Sequence, residues 1–118
     1  MTKLLVVDDS MVSRLMVKQI VIESFPEWEI IEAKSGEDAL VKSQNQHDID
    51  VAILDYNMPG MSGLELADKL QENLNISNTA LLTANVQDDI RHLAQEKGIT
   101  FLNKPITEEL VVGYLNGC

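Results

Sequence analysis

The sequence predicts an α/β fold in which helices cover both faces of a five-stranded parallel sheet. Short apolar runs alternate with longer segments of helical apolar spacing five times along the 118 residues. The runs are apolar with little alternation, which is typical of strands that are buried on both faces. Parallel strands also need a crossover between them, and each predicted helix supplies one.

The first two strand–helix units are predicted from their apolar runs and helix boundaries. Their strands are Lys3–Val7 and Glu29–Ala33, which are short and apolar at their centres. Between them, the segment 11–24 predicts a helix with apolar residues at helical spacing, namely Val12, Leu15, Met16 and Ile20. The second helix begins at Ser35, because Asp38 three positions later resembles a capping box. The residues expected to face inward from it are Ala39 and Leu40.

The third unit contains the most uniformly apolar strand of the chain, Val51–Leu54, which we therefore expect at the centre of the sheet. A turn rich in Pro and Gly follows over residues 57–63. The next helix is predicted from apolar residues three or four positions apart, which are Leu64, Ala67, Leu70 and Leu74.

The last two strands are predicted at Ala80–Thr83 and Thr100–Asn103. The helix between them has Asn85 as its predicted cap and ends at Lys97 and Gly98, a cation followed by a glycine. Its predicted inner stripe consists of Ile90, Leu93 and Ala94. The final helix begins around Thr107, and its apolar side consists of Leu110, Val111, Tyr114 and Leu115.

Polar residues stand where these strands end. Right-handed crossovers leave few topologies, and a flavodoxin-like three-layer fold with strand order 2-1-3-4-5 is the common one for five strands. Ligands then bind beyond the carboxyl ends of strands one and three, which lead into Asp8-Asp9 and Asp55. The fourth strand ends at Thr83, and Lys104 follows the fifth. Three carboxylates, a hydroxyl and an ammonium are therefore expected on one rim.

Taken singly, these residues have ordinary explanations. Asp8 or Asp9 is as well explained as a cap of the first helix, Asp55 as a turn residue, and Lys104 as a solvated lysine. As a set on one rim, the three carboxylates repel one another, and a divalent cation removes that repulsion. Oxygen ligands favour Mg²⁺, whereas calcium needs more oxygens. The residues that zinc prefers lie away from these strand ends: His47, His92 and Cys118.

The charge balance, the apolar runs, the cysteine count and the length limit the partners, the location and the domain number that we expect. There are 9 basic against 19 acidic side chains, a formal net charge of -10, so we expect no unaided binding to nucleic acid or to an anionic membrane. No apolar run approaches the roughly 20 residues that span a bilayer, and no secretory signal is evident, which predicts a cytoplasmic location. Cys118 is the only cysteine, so an internal disulfide is excluded. The length predicts a single domain over residues 1–118, with no output domain among them, so the chain is either a stand-alone protein or one domain of a longer one.

The strand-end residues together resemble the receiver domains of bacterial two-component response regulators, in particular chemotaxis-regulator-like receivers. The resemblance is carried by Asp8-Asp9, the stretch 55–63, Thr83-Ala84 and Lys104-Pro105, and it covers the chain from Lys3 to about Leu115. It implies that Asp55 is the phosphoacceptor, whose carboxylate attacks a phosphoryl group on a partner's histidine. It also implies a cis peptide bond before Pro105.

The resemblance further implies a metal site. Mg²⁺, with Mn²⁺ as a substitute, would be bound directly by Asp9, Asp55 and the backbone carbonyl of Asn57. Asp8 would act through a coordinated water. The metal would neutralise charge on the phosphoryl group during transfer.

The same resemblance assigns the phosphoryl contacts and a switch. Lys104, the Thr83 hydroxyl and the Ala84 backbone N–H would bind phosphoryl oxygens. When Thr83 moves, Phe101 would rotate inward as the switch aromatic, although a plain core phenylalanine fits the sequence equally well. The Asn57 and Asn85 side chains would border the path of the hydrolytic water.

The implied partners are proteins. A sensor histidine kinase or histidine phosphotransfer protein would dock near the top of the first helix, around Ser10, Met11, Ser13 and Arg14. A downstream protein would bind the surface of the fourth helix, fifth strand and fifth helix. A phosphorylation-dependent homodimer is a further expectation.

Three alternatives stay open at this point. A magnesium-dependent phosphatase with an aspartyl intermediate would need a general acid near Asp55, where Asn57 is a poor one. A flavin-binding module would place a phosphate-binding loop after the first strand, where two aspartates repel phosphate. A receiver that signals without phosphate would not need the full set of acids, threonine and lysine.

Overall fold

A computed structural model describes residues 2–46, 48–74, 76–84 and 88–118. The strands are β1 Lys3–Val7, β2 Glu29–Ala33, β3 Val51–Asp55, β4 Asn78–Thr83 and β5 Thr100–Asn103. The helices are α1 Met11–Ser24, α2 Gly36–Ser43, α3 Gly63–Asn73, α4 Asp88–Glu96 and α5 Glu108–Leu115.

The five strands form one parallel sheet in the order β2-β1-β3-β4-β5, which confirms the predicted topology and the central position of β3. Alternate strand residues face opposite sides of the sheet, as the period of a strand requires. Leu5 and Leu54 pack into a core under α2, α3 and α4, while Leu4 and Ile53 pack into a second core under α1 and α5. Every residue of β3 is buried, because helices cover it from both sides.

Side-chain caps set the helix starts that position the rim of the sheet. Four helices begin with a hydroxyl that accepts an N–H three residues later, and the caps are Ser10, Ser35, Ser62 and Thr107. The predicted boundaries differ by small amounts: β4 begins two residues before Ala80, and α3 ends at Asn73 with Leu74 as its C-cap. Gly98 has a φ of 74°, which explains the glycine after α4. The predicted cap Asn85 lies outside the described residues.

The buried face of α1 differs from the apolar stripe by which the sequence predicts this helix. Val12 and Leu15 are 65% and 51% exposed, whereas Val17 and Val21 are buried. Apolar residues surround most of the helix, so their spacing cannot select the inner face. Arg14 stands one turn before Val17 on the inner face and is itself half-buried.

One inward prediction for α4 is wrong. Leu93 is 41% exposed, and Ala94 is the buried residue of this helix, with Ile90 partly buried against the same core. Consecutive residues of a helix point to different sides, so a helix that buries Ala94 turns the neighbouring Leu93 towards solvent. Within the described residues, no helix is long and apolar enough to span a membrane.

Candidate functional site

An acidic cluster stands at the carboxyl ends of β1 and β3. Asp8 and Asp9 directly follow β1, and Asp55 is the last residue of β3. One carboxylate oxygen from each of the three residues lies within 4.8 Å of the others. Asp8 and Asp55 are 2% and 4% exposed, while Asp9 is open to solvent. The structure thus brings together the three acids that the strand order predicts at this edge.

Asp8 is held at its amide, its carbonyl and one carboxylate oxygen. Its N–H donates to the Ala33 carbonyl at 3.2 Å. Its own carbonyl accepts from Arg14 Nη1 at 2.6 Å, and its Oδ1 accepts the Ser10 N–H at 2.9 Å. Its Oδ2 is buried and, among the described residues, has no hydrogen-bond partner. A buried carboxylate oxygen without a partner is costly, and a cation or its bound water would satisfy it.

Lys104 brings one positive charge to the cluster. Its Nζ lies 3.2 Å from Asp55 Oδ1, and its backbone N–H donates to the Thr83 carbonyl at 2.8 Å. The bond between Lys104 and Pro105 is cis, which confirms the expectation from the resemblance. Three carboxylates and one ammonium leave an excess of negative charge, which a divalent cation that prefers oxygen ligands would balance.

The pKa of Asp55 reflects this excess of negative charge. Burial is the largest effect and, together with the charge of Asp8, raises the pKa of Asp55 to about 6, although Lys104 opposes the shift. Burial likewise raises the pKa of Asp8, against the Ser10 N–H and the Lys104 charge, which lower it. Two neighbouring carboxyls with raised pKa values are characteristic of a functional site.

The remaining predicted residues lie around this cluster. Thr83 ends β4 and is 2% exposed, while Ala84 and Asn57 are exposed on the loops after β4 and β3. Phe101 is half-buried on β5, where it packs against the core under α4. The Arg91 guanidinium lies 5.7 Å from the centre of the Phe101 ring, a cation–π contact that the sequence did not indicate.

A glycine that no sequence pattern distinguishes, Gly63, fixes the loop beyond Asp55. The Gly63 N–H donates to the Tyr56 carbonyl at 2.9 Å, which brings the start of α3 close to the end of β3. A Cβ on Gly63 would overlap the Asp55 carbonyl oxygen and lie 2.9 Å from Leu81 Cδ2. Only glycine allows this approach. The Pro- and Gly-rich turn was the available signal, but it did not show which glycine is confined.

The fold and the acidic rim correspond to a class of signalling domains. A family model described as the response regulator receiver domain matches residues 4–116. The chain therefore belongs to the receiver domains of two-component response regulators.

Comparisons with individual proteins support this family assignment. The chain is 34% identical to the chemotaxis protein CheY of Listeria monocytogenes over 114 residues, which cover 95% of this chain and 93% of that protein. The solved structure of CheY4 from Vibrio cholerae superposes with a TM-score of 0.84 at 32% identity, covering 99% of this chain and 98% of that one.

Other relatives are much longer than the matched region. A cyclic di-GMP phosphodiesterase of Thermotoga maritima is 33% identical over 112 residues, and the match spans 94% of this chain but only 29% of that protein. The chain likewise spans 28% of the response regulator RpfG of Xanthomonas campestris, another cyclic di-GMP phosphodiesterase. Receiver domains therefore occur both in short proteins and as parts of long ones.

Proposed function

We propose that this chain is a phosphorylation-switched receiver in which Asp55 accepts a phosphoryl group from a histidine of a sensor kinase or phosphotransfer protein. The observation that carries the proposal is the acidic cluster of three carboxylate oxygens within 4.8 Å, with Lys104 in contact with Asp55. The proposed unit is a single domain over residues 1–118 that signals by binding other proteins.

The acids fit Mg²⁺, with Mn²⁺ as a substitute. Asp9, Asp55 and the Asn57 carbonyl would hold the ion directly, and the orphaned Oδ2 of Asp8 suits a water bound to it. When bound, the ion supplies positive charge to the oxygens of the transferring phosphoryl group.

Transfer needs an ionised Asp55. With a pKa of about 6 its carboxylate is mostly ionised at neutral pH, and Lys104 favours that form. A carboxylate oxygen of Asp55 bonds to phosphorus as the bond between phosphorus and the donor's histidine nitrogen breaks. The products are an aspartyl phosphate and a histidine that keeps the electron pair of the broken bond.

The added group carries nearly two negative charges at neutral pH. Lys104 can then exchange its contact with Asp55 for a phosphoryl oxygen, and the Thr83 hydroxyl and Ala84 N–H are proposed as further donors. Movement of Thr83 would release Phe101 inward and change the surface of α4, β5 and α5, where a downstream protein or a second phosphorylated copy would bind.

The phosphodonor needs a surface near the acidic cluster, and an apolar one lies along α1, which begins two residues after Asp9. The α1 apolar surface consists of Val12, Leu15, Met16, Ile20 and Ile106. Leu15 and Met16 are 51% and 42% exposed, although large aliphatic residues are usually buried. The surface joins the start of α1, just after Asp9, to the loop after Lys104. We therefore propose this surface as the docking site of the histidine protein.

The site is tested by intact mass after incubation with acetyl phosphate or phosphoramidate and Mg²⁺. We expect one added phosphoryl group, which is absent with EDTA and absent in Asp55→Ala. Stable labelling of the alanine variant would contradict the assignment. Many turnovers on a small phosphoester would instead indicate a hydrolase.

The docking surface is tested separately with Leu15→Gln. Leu15 is exposed, so the protein should fold normally and accept phosphate from phosphoramidate at the wild-type rate. Transfer from a phosphorylated histidine protein should slow at least severalfold. Val41→Gln is the matched control, since Val41 is 63% exposed on α2, outside this surface. Equal transfer rates in the two variants would contradict docking on α1.

A further inference from the structure

Arg14 occupies an unusual position for an arginine of an exposed helix. Its side chain is only 16% exposed and lies between the end of β1 and β2. Nη1 donates to the Asp8 carbonyl at 2.6 Å, and Nε lies 3.6 Å from Glu32 Oε1. The guanidinium thus joins the loop that carries Asp8 and Asp9 to the neighbouring strand.

Glu32 also contacts two lysines. Its Oε2 accepts from Lys18 Nζ at 3.0 Å, and its backbone carbonyl accepts from Lys42 Nζ at 2.6 Å. Arg14 therefore shares Glu32 with Lys18, which contacts the other carboxylate oxygen, and with Lys42, which contacts the backbone carbonyl. Of the cations around Glu32, Arg14 is the one with a hydrogen bond to Asp8 among the described residues.

The hydrogen bond from Arg14 to the Asp8 carbonyl restricts how Asp8 can orient its side chain. The amide, carbonyl and Oδ1 of Asp8 are all engaged, so its peptide unit has little freedom to turn. Oδ2 is the atom left over, buried at the acidic cluster. If the hydrogen bond from Arg14 were lost, the peptide between Asp8 and Asp9 could rotate, and both carboxylates would leave their common site.

We infer that Arg14 is a positioning residue for Mg²⁺ binding, which acts through the backbone of Asp8 and touches neither the ion nor the phosphoryl group. The inference rests on the proposed function, because it concerns the same acidic cluster. Groups that orient metal ligands from outside the coordination sphere typically contribute about 10- to 100-fold in affinity.

The inference makes a prediction whose sign is opposite to that of simple electrostatics. Arg14 is a cation beside an acidic cluster, so deleting its charge alone should strengthen the attraction for Mg²⁺. If the guanidinium positions Asp8 and Asp9, its loss should weaken binding. Lys18→Met is the matched control, since Lys18 pairs with the same Glu32 one turn along α1 and, within the described part of the chain, has no hydrogen bond or ion pair with Asp8.

The experiment measures Mg²⁺ affinity by titration calorimetry in the full chain. We expect Arg14→Met to weaken binding about tenfold, while Lys18→Met leaves it unchanged or slightly tighter. In metal-free protein, the Ser10 amide should exchange with solvent faster in Arg14→Met than in Lys18→Met, because its acceptor on Asp8 is no longer held. Arg14→Gln, which cannot reach Asp8 and Glu32 together, should behave as Arg14→Met and replaces it should the methionine variant not fold.

Binding by the Arg14 variants as tight as in Lys18→Met would overturn the inference. Unchanged Ser10 exchange would also overturn it. Failure of the proposed function looks different, because then the wild-type protein itself binds no Mg²⁺ and takes up no phosphoryl group.

Discussion

The Nζ of Lys104 lies 3.2 Å from Asp55 Oδ1, and among the described residues this is the ion pair that a carboxylate of the acidic cluster makes. The pair neutralises one of three carboxylates, so the metal-free site keeps an excess of buried negative charge. This excess destabilises the folded protein in a way that depends on pH. Mg²⁺ or a proton on Asp55 would each relieve it, and the following predictions separate these effects.

The metal-free protein should lose stability between about pH 4 and pH 6. Asp55 has a pKa of about 6 when folded, against about 3.9 in an unfolded chain, so the folded state binds the proton more tightly. Its contribution is thus fully present below pH 4 and is lost as the pH rises to 6. The loss should be on the order of 2 kcal/mol.

The measurement is urea unfolding in EDTA across this range, with Asp55→Asn as reference. The asparagine cannot titrate, so its stability relative to wild type should rise with pH and level off above pH 6. Mg²⁺ at pH 7 should stabilise only the wild-type protein. A difference between the two proteins that does not change with pH would contradict this prediction.

Replacement of Lys104 should shift the same transition. Lys104 lowers the pKa of Asp55, so Lys104→Met should raise it and extend the loss of stability above pH 6. At pH 7 in EDTA we expect unfolding free energy to fall by about 1 kcal/mol. At pH 4 the variant and wild type should agree, because Asp55 is then protonated in both.

Lys97→Met is the control for this substitution. Lys97 pairs with Asp68 at 2.9 Å on the surface, where both side chains are at least one-third exposed. Its removal should change stability by less than about 0.5 kcal/mol at either pH. If the two lysine variants behave alike, the Lys104 contact has no special effect on Asp55.

The sequence predicted the rim well because each of its residues stands next to a strand that can be recognised alone. Val51 to Leu54 are uniformly apolar, so the position of Asp55 at the end of a buried strand follows directly. Parallel pairing then places it beside Asp8 without further information.

Features that depend on packing between elements were not predictable in this way. α1 is apolar on most sides, and which side meets the sheet depends on the shape of the second core. For the same reason the contacts of the partly buried Arg14 with Asp8 and Glu32 do not follow from its position near the start of α1. No periodic pattern places a charged residue on an inner face, because its partners come from distant strands.

Gly63 should be more sensitive to substitution than the other helical glycines. In Gly63→Ala the new methyl group would overlap the Asp55 carbonyl oxygen, and backbone cannot move aside as a side chain can. We expect the free energy of unfolding to fall by about 2 kcal/mol. Labelling of Asp55 by phosphoramidate should slow as well, because the displaced carbonyl belongs to the proposed acceptor residue.

Gly113→Ala is the matched control for Gly63. Gly113 lies inside α5, and nothing is within 4 Å of the position that a Cβ would occupy. Alanine favours helix more than glycine does, so this variant should gain about 0.5–1 kcal/mol and label normally. Thermal and urea unfolding of the two variants give the comparison, and a Gly63→Ala variant as stable as Gly113→Ala would refute the close approach at Gly63.

Two valines of α1 distinguish its buried side from its exposed side. Val17 is 1% exposed and packs into the core under α1 and α5, whereas Val12 is 65% exposed. Val17→Ala should therefore lower the unfolding free energy by about 2 kcal/mol, from lost burial and the cavity that remains. Val12→Ala should change it by less than about 0.5 kcal/mol. Equal losses in urea unfolding would mean that α1 is rotated about its axis, which would also remove Arg14 from Asp8 and return the α1 apolar surface to the core.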